Sequence, residues 1–570
     1  MFVDNKILIG KSNEKELFII PDKANRHGLI TGASGSGKTI TLKVMAESFS
    51  ADGVPVFLAD VKGDLAGMCK PGENNEKIQE RLEKLGIQDT FTFQSFPTVF
   101  WDVYGESGHP IRTTVSNVGS TILSRMLGLS DVQAGVLAIA FKIAKDANLE
   151  LIDLKDLRLL LQHIGDNRSN FTLSYGNISV QSIGGIQRSI LMLQEQGGDF
   201  FFGEPEIDIN DFIKFSPENG FGNINILHCA ELFKKPNLYS CFMLWILTFL
   251  NQNMPEVGDL EKPKMVFFFD EAHLLFDDMP KYMLTQVIQV VKLIRSKGIG
   301  LYFISQTPND IPNEIQAQLG NRVQHTLRAY TPAEQKIVKA VADSFRANPE
   351  FDTEEAIMAL GTGEALVTFL NEKGEPGIVE KVTVLPPQSQ MGTIEDDVRM
   401  EVINNSRFKG KYDELIDRES AFEKIQAESQ RLEEEQMQME QDMYSDGNYN
   451  QPYQETQPNQ TNQSNQPQGM FSNNNNTGGM YSMPNNTNQN SGNMNNYPNQ
   501  NNNQPNNQNQ SSGNSGGGSV RRTTTTAKGR TTTKKKTKST AEKAFTKTTN
   551  SALTAFGRKL GNEFFKKLFK

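Results

Sequence analysis

The sequence predicts an α/β protein in which a mainly parallel sheet is flanked by helices, interrupted by a helical insertion and followed by a polar tail. Three observations carry that prediction. A glycine-rich loop, Gly32 to Thr39, lies between a strand pattern and a helix pattern. Strand-like apolar runs return after residue 223 with helical segments between the first few. The composition then breaks near residue 446, where Asn, Gln, Ser, Gly and Pro take over. The 570 residues leave room for about three or four domains.

Residues 1–109 form the first part of the core. His27–Thr31 and Val54–Asp60 read as strands, with a helix over Thr39–Ser50 between them, which is a βαβ beginning. Residues 110–222 change to helical spacing over Thr113–Leu127, Asp131–Asn148, Ile152–Ile164 and Ile183–Gln196, a mostly helical insertion. Residues 223–387 return to strands: Asn225–Cys229, Met265–Asp270, Gly300–Ser305, Val323–Leu327, Ala365–Leu370 and Gly377–Val384. The last two are expected to form an antiparallel edge, and the globular part to end near Pro386-Pro387. Residues 388–445 make a charged extension, helical from 394 and without an apolar stripe, so an exposed helix or short coiled coil is expected.

Residues 446–519 form an Asn/Gln-rich linker that cannot bury enough apolar surface to offset its ordering entropy, so disorder is predicted. Residues 520–570 form a basic tail. Its last part interleaves Phe545, Leu553, Phe556, Leu560, Phe564 and Leu568 with lysines, the pattern of a basic amphipathic helix.

Charge is distributed unevenly. Residues 519–570 carry 15 Lys and Arg against Glu542 and Glu563, a net +13, which leaves residues 1–518 at −22 of the total −9. The tail suits salt-sensitive phosphate contacts on DNA, an anionic membrane surface, or neutralisation of the acidic body. Cys69, Cys229 and Cys241 are too few for a disulfide framework and show no CxxC, which fits a reducing compartment. The first residues lack a signal-peptide pattern. The longest apolar run, Leu238–Leu250, is too short to cross a bilayer and reads as a buried helix. A cytoplasmic location is expected.

The chemistry is carried by three strand ends. Gly32, Ala33, Ser34, Gly35, Ser36, Gly37, Lys38 and Thr39 match G-x-x-x-x-G-K-[ST] in full, between a strand and a helix that continues through Ile40. Such a loop wraps phosphates with backbone N–H groups at a helix N-terminus. Lys38 is expected to reach the β/γ-phosphates of ATP, and the Thr39 hydroxyl to ligate Mg²⁺. Met265-Val-Phe-Phe-Phe-Asp270-Glu271 is an apolar strand ending in two acids. Asp270 is placed to hold the Mg²⁺ water shell and Glu271 to act as general base on the attacking water. Adjacent acids favour hydrolysis over transfer to a small acceptor. His273 reads as a structural neighbour.

The strand over Gly300–Ser305 can lie beside the Asp270 strand, which would bring Gln306 near the γ-phosphate as a sensor; a strand cap is its other reading. Arg322 is either a finger for a neighbouring subunit or a salt-bridged surface residue. Asp60-Val-Lys-Gly-Asp64 ends the second strand, facing the nucleotide or the bore of a ring, or simply making a βα turn.

Together, Ala24-Asn-Arg-His-Gly-Leu-Ile-Thr-Gly32, Leu58-Ala-Asp-Val-Lys-Gly-Asp64, Phe267-Phe-Phe-Asp-Glu-Ala-His-Leu-Leu-Phe276 and Ser305-Gln306 resemble the HerA/FtsK superfamily of P-loop ATPases, and more closely its bacterial HerA-like, YjgR-type members. Gly184-Gly-Ile-Gln-Arg188, Gly197–Pro205 and Arg295-Ser-Lys-Gly298 are also similar to that group. The resemblance spans about residues 5–387. It implies a RecA-like core, ATP with Mg²⁺, a homo-hexameric ring and a double-stranded DNA track. It also matches Gln306 to the sensor position and Arg322 to the finger. The β-barrel through which archaeal relatives dock a nuclease has no room before a phosphate loop at residue 32, which puts a nuclease partner in question. The reading is an ATP-hydrolysing ring motor that translocates along or remodels duplex DNA. Its rival is an ATP-dependent switch or scaffold that hydrolyses slowly and moves nothing.

Overall fold

Thirteen strands join into one sheet in the computed structural model, which describes residues 1–445 apart from positions 14, 259, 278 and 280. The expected linker and basic tail lie outside the described residues. In chain order the strands are β1 (Phe2–Val3), β2 (Lys6–Ser12), β3 (Lys15–Ile19), β4 (Gly28–Thr31), β5 (Val56–Asp60), β6 (Thr98–Asp102), β7 (His109–Pro110), β8 (Ile224–His228), β9 (Met265–Phe269), β10 (Ile299–Ser305), β11 (Asn321–Gln324), β12 (Glu364–Thr368) and β13 (Glu380–Val384). Their order is β1-β2-β13-β12-β11-β4-β10-β9-β5-β8-β6-β7, with β3 hairpinned onto β2.

From β11 through to β7 every pairing is parallel. The central strands β5, β9 and β10 are apolar runs because both faces are buried. Along β9, Met265, Phe267 and Phe269 join one core layer, while Val266 and Phe268 join the other. Strand β10 alternates in the same way, Leu301 and Phe303 against Tyr302 and Ile304. The first layer is completed by the helix Pro236–Asn253, whose apolar run is a buried helix as expected, and by the helical insertion. The second is completed by α1 (Lys38–Ala51) through Leu42, Met45, Ala46 and Phe49.

The insertion holds helices at Val115–Met126, Asp131–Asp146, Leu154–Asp166, Arg168–Tyr175 and Val180–Glu195. Four of these starts are written locally. Thr114, Ser130, Asp153 and Ser179 each accept a first-turn N–H, and Ser130 with Gln133 forms a reciprocal capping box.

Two expectations change. Strands β12 and β13 are antiparallel, but they are not the edge: β13 continues onto β2, with Val384 opposite Gly10, and the N-terminal strands close the sheet. This pairing joins segments more than 370 residues apart, which no local pattern reports. The packing also does not stop at Pro386-Pro387. Phe408 and Tyr412 pack their rings 5.3 and 5.7 Å from Trp101, and Ala421 and Ile425 are buried. The Gln388 and Ser389 N–H groups donate to the buried Glu47 carboxylate on α1 at 2.8 and 3.2 Å. A helix at Ala421–Ser445 follows, with Ala421 and Ile425 buried near its start.

Candidate active site

The phosphate loop leaves the sheet from β4, between β10 and β11. Its shape is set by backbone bonds to three other segments. Gly32 N–H donates to Gln306 O at 3.2 Å, Ala33 N–H to Thr326 O at 2.9 Å, and Ser36 O accepts from Gly363 N–H at 3.1 Å. Gly32 has φ +151°, and a Cβ there would stand 2.5 Å from His325 Cβ. Gly37, at φ +115°, turns the chain into α1. Ser34 and Gly35 are exposed at the tip, while Lys38, Thr39 and Ile40 are half-buried in the first turn of α1. Lys38 Nζ donates to Gly32 O at 2.6 Å and Ala33 O at 3.1 Å, so the ammonium lies over its own loop. Burial lowers the Lys38 pKa, and the charges of Glu271 and Asp270 oppose that shift.

The two acids follow β9 directly. Asp270 is pushed up to about 7, chiefly by burial and then by the charge of Glu271. Its Oδ1 accepts the Glu271 N–H at 3.0 Å, and Tyr239 OH donates to its carbonyl at 3.0 Å. Glu271 has φ +47°, an uncommon conformation for a side chain of this size. Its Oε1 lies 3.6 Å from Lys62 Nζ and its Oε2 3.5 Å from His273 Nδ1.

Strand β10 is the bridge between the two halves. It pairs in parallel with β4, placing Ser305 opposite Thr31, and with β9, placing Phe303 opposite Phe269. Gln306 therefore follows a strand that lies between the phosphate loop and the acids; it is exposed, and its carbonyl holds Gly32 N–H. Arg322 sits on β11 opposite Leu29, two residues short of Thr31. It is half-buried, and its guanidinium donates to Leu319 O at 3.1 Å and Gln316 O at 3.0 Å of its own chain.

These groups fit a magnesium nucleotide. The Ser36 hydroxyl is buried with no hydrogen-bond partner among the described residues, inside a loop shaped for oxyanions. A buried carboxyl such as Asp270 is stabilised in its charged form by a cation. Thr39 and Asp270 would hold the Mg²⁺, and the loop from Gly32 to Ile40 the phosphates.

One residue and one contact of the site escaped sequence reasoning. His325 is fully buried beneath the loop, with Nε2 2.9 Å from Thr41 Oγ1 and Nδ1 2.9 Å from Glu364 O. A carbonyl only accepts, so Nδ1 carries the proton and Nε2 accepts from Thr41. Burial lowers its pKa to about 4, which keeps the ring neutral. Lys62 falls in the Asp60–Asp64 segment expected to face the nucleotide or the bore of a ring, or to make a plain βα turn. Asp60 does make a turn, accepting from Gly63 N–H at 2.7 Å and Leu65 N–H at 3.2 Å, but Lys62 reaches Glu271.

The family described as Helicase HerA-like C-terminal matches residues 5–483. A relative called "DNA double-strand break repair helicase HerA", from Sulfurisphaera tokodaii, is 23% identical over 385 residues, 64% of this chain and 67% of its own length. One of the same description from Sulfolobus acidocaldarius is 21% identical over 369 residues, 63% of this chain and 65% of its own. The chain thus spans about two thirds of each relative. Among solved structures, plasmid coupling protein TrwB in complex with ADP and Mg²⁺ aligns at TM-score 0.44 and 14% identity, covering 68% of this chain and 91% of that one. VirB4 of Thermoanaerobacter pseudethanolicus aligns at TM-score 0.43 and 15% identity, covering 70% and 99%.

Proposed function

The chain belongs to the Helicase HerA-like C-terminal family, and from that premise we propose that it is an ATP-hydrolysing ring motor that translocates along or remodels double-stranded DNA. It is an ATPase of the HerA-like type. The observation that carries the reading is the β4-β10-β9 order, which puts one strand between the phosphate loop and the paired acids.

Placement supports the following roles. Backbone N–H groups of the loop and the N-terminus of α1 bind the phosphates, and Lys38 exchanges its two loop carbonyls for phosphate oxygens. Bound Mg²⁺ would neutralise charge on the leaving phosphates. Glu271 takes a proton from water as the water oxygen bonds the γ-phosphorus; the bond to the bridging oxygen breaks and leaves ADP and phosphate. Gln306 would sense the γ-phosphate, because its carbonyl already holds Gly32 and the two must move together. Arg322 would leave Gln316 O and Leu319 O to serve a neighbouring subunit's phosphate in a homo-hexamer. The basic tail of residues 520–570 would hold DNA phosphates near the motor in a cytoplasmic protein, with an anionic membrane as its second partner.

The −22 charge of residues 1–518 favours one rival, the slow ATP-dependent switch that moves no DNA. ATP turnover by the full chain with and without duplex DNA separates them. A motor is stimulated by DNA and stalls on Glu271→Gln; a switch binds ATP and turns over at one slow rate with or without DNA.

A further inference from the structure

The ion pair between Lys62 and Glu271 gives the base a partner from another strand end. Lys62 lies in the turn after β5, fixed by the two N–H groups that Asp60 accepts and by Gly63 at φ +78°. Its side chain is 62% exposed, whereas that of Glu271 is 15% exposed. The ammonium thus reaches from solvent onto an enclosed carboxylate. With Lys62 at 3.6 Å from Oε1 and His273 at 3.5 Å from Oε2, each oxygen of Glu271 faces a nitrogen.

We propose that Lys62 is a positioning residue that restrains Glu271 in the resting enzyme, and that a phosphate of duplex DNA releases the base by drawing the Lys62 ammonium away. This rests on Glu271 being the base and duplex DNA the polyanion. A base pointed at the γ-phosphate must leave the ammonium, and the restraint costs turnover until it is broken. A pair with one partner largely in solvent is weak and screened by salt. A closely spaced row of phosphates competes for such a cation far better than dilute ions do. The exposure of Lys62 supplies the access and the enclosure of Glu271 supplies the consequence. The device converts contact with a polyanion into water activation without moving the phosphate loop.

The test uses the full chain with ATP and Mg²⁺ at fixed salt, reading kcat and KM with and without duplex DNA. Lys62→Met should raise the DNA-free kcat about two- to fivefold, the range a partly exposed ion pair supplies, with little change in KM for ATP. The stimulation by DNA should shrink by the same factor. Lys62→Arg, which keeps the charge, should restore the restraint. A DNA-free kcat for Lys62→Met equal to or below wild type overturns the restraint; Lys62 is a surface residue of a turn held by Asp60, so misfolding does not obscure the result. A wild-type ATPase that ignores duplex DNA overturns the release step and the DNA reading together, while the DNA-free comparison still decides the restraint. Glu271→Gln turning over like wild type would instead refute the base.

Discussion

The phosphate loop and the acidic strand end are separated by one strand, yet they are fixed by different forces. The loop is held by backbone groups: Gln306 O, Thr326 O and Gly363 N–H set its path, and glycines admit the close approach of His325 and Ser36. The acids are held by side chains and burial, with Glu271 at positive φ between Lys62 and His273. A backbone-built site is rigid and loses function when volume is added. A site built from long charged side chains can be reset by a competing charge. The binding half should therefore be sensitive to shape, and the hydrolytic half to charge.

The largest effect should come from the charge side. Glu271→Gln keeps the volume, so ATP binding should survive while turnover falls by about 10²–10⁴. Fluorescent-nucleotide binding and phosphate release measure the two separately, and normal turnover would reject the base. On the shape side, Gly32→Ala should abolish nucleotide binding, because its Cβ would meet His325 Cβ at 2.5 Å. A positive-φ residue at such a point costs about 1–3 kcal/mol, so thermal unfolding should show a modest loss as well. An alanine variant that binds ATP normally would mean the loop yields more easily than its contacts indicate.

Arg322→Ala should bind ATP and lack turnover. Mixed with Glu271→Gln subunits it should regain some activity, at interfaces that join an intact base to an intact arginine. No recovery on mixing would place Arg322 in its own subunit's site. Smaller again, His325→Asn should cost about 1 kcal/mol of stability by breaking one of its two hydrogen bonds. Its effect should be shared with Thr41→Val in a double-mutant cycle, since the two side chains are bonded to each other. The smallest effect on hydrolysis should follow deletion of residues 520–570, which should leave DNA-free turnover intact and weaken DNA binding most at low salt. Unchanged DNA affinity at every ionic strength, with the isolated tail binding anionic vesicles, would favour the membrane partner.

The central strands and the loop were legible because their signals are local. Strands β5, β9 and β10 are apolar on both faces, so they stand out as short unbroken runs, and the phosphate loop has a fixed spacing. What stayed hidden depends on partners distant in sequence. Val384 meets Gly10, His325 meets Thr41, and the Gln388 and Ser389 N–H groups meet Glu47. Phe408 and Tyr412 sit among charged residues with no period to betray a buried face, although both pack on Trp101. Lys62 fell in a segment read as facing the nucleotide or as a plain βα turn, and neither reading names Glu271, more than 200 residues away, as its partner.

The proposed motor works only as a shared-site ring on duplex DNA. The measurement that tests it most directly is the mass of full-length Glu271→Gln in solution with ATP, Mg²⁺ and a short duplex, beside the DNA-free wild-type ATPase at rising dilution. A shared-site ring gives a species of six chains carrying one duplex, and wild-type turnover that falls as the ring dissociates. A chain that stays monomeric with ATP and DNA, and whose wild-type form hydrolyses ATP at full rate when dilute, would contradict it.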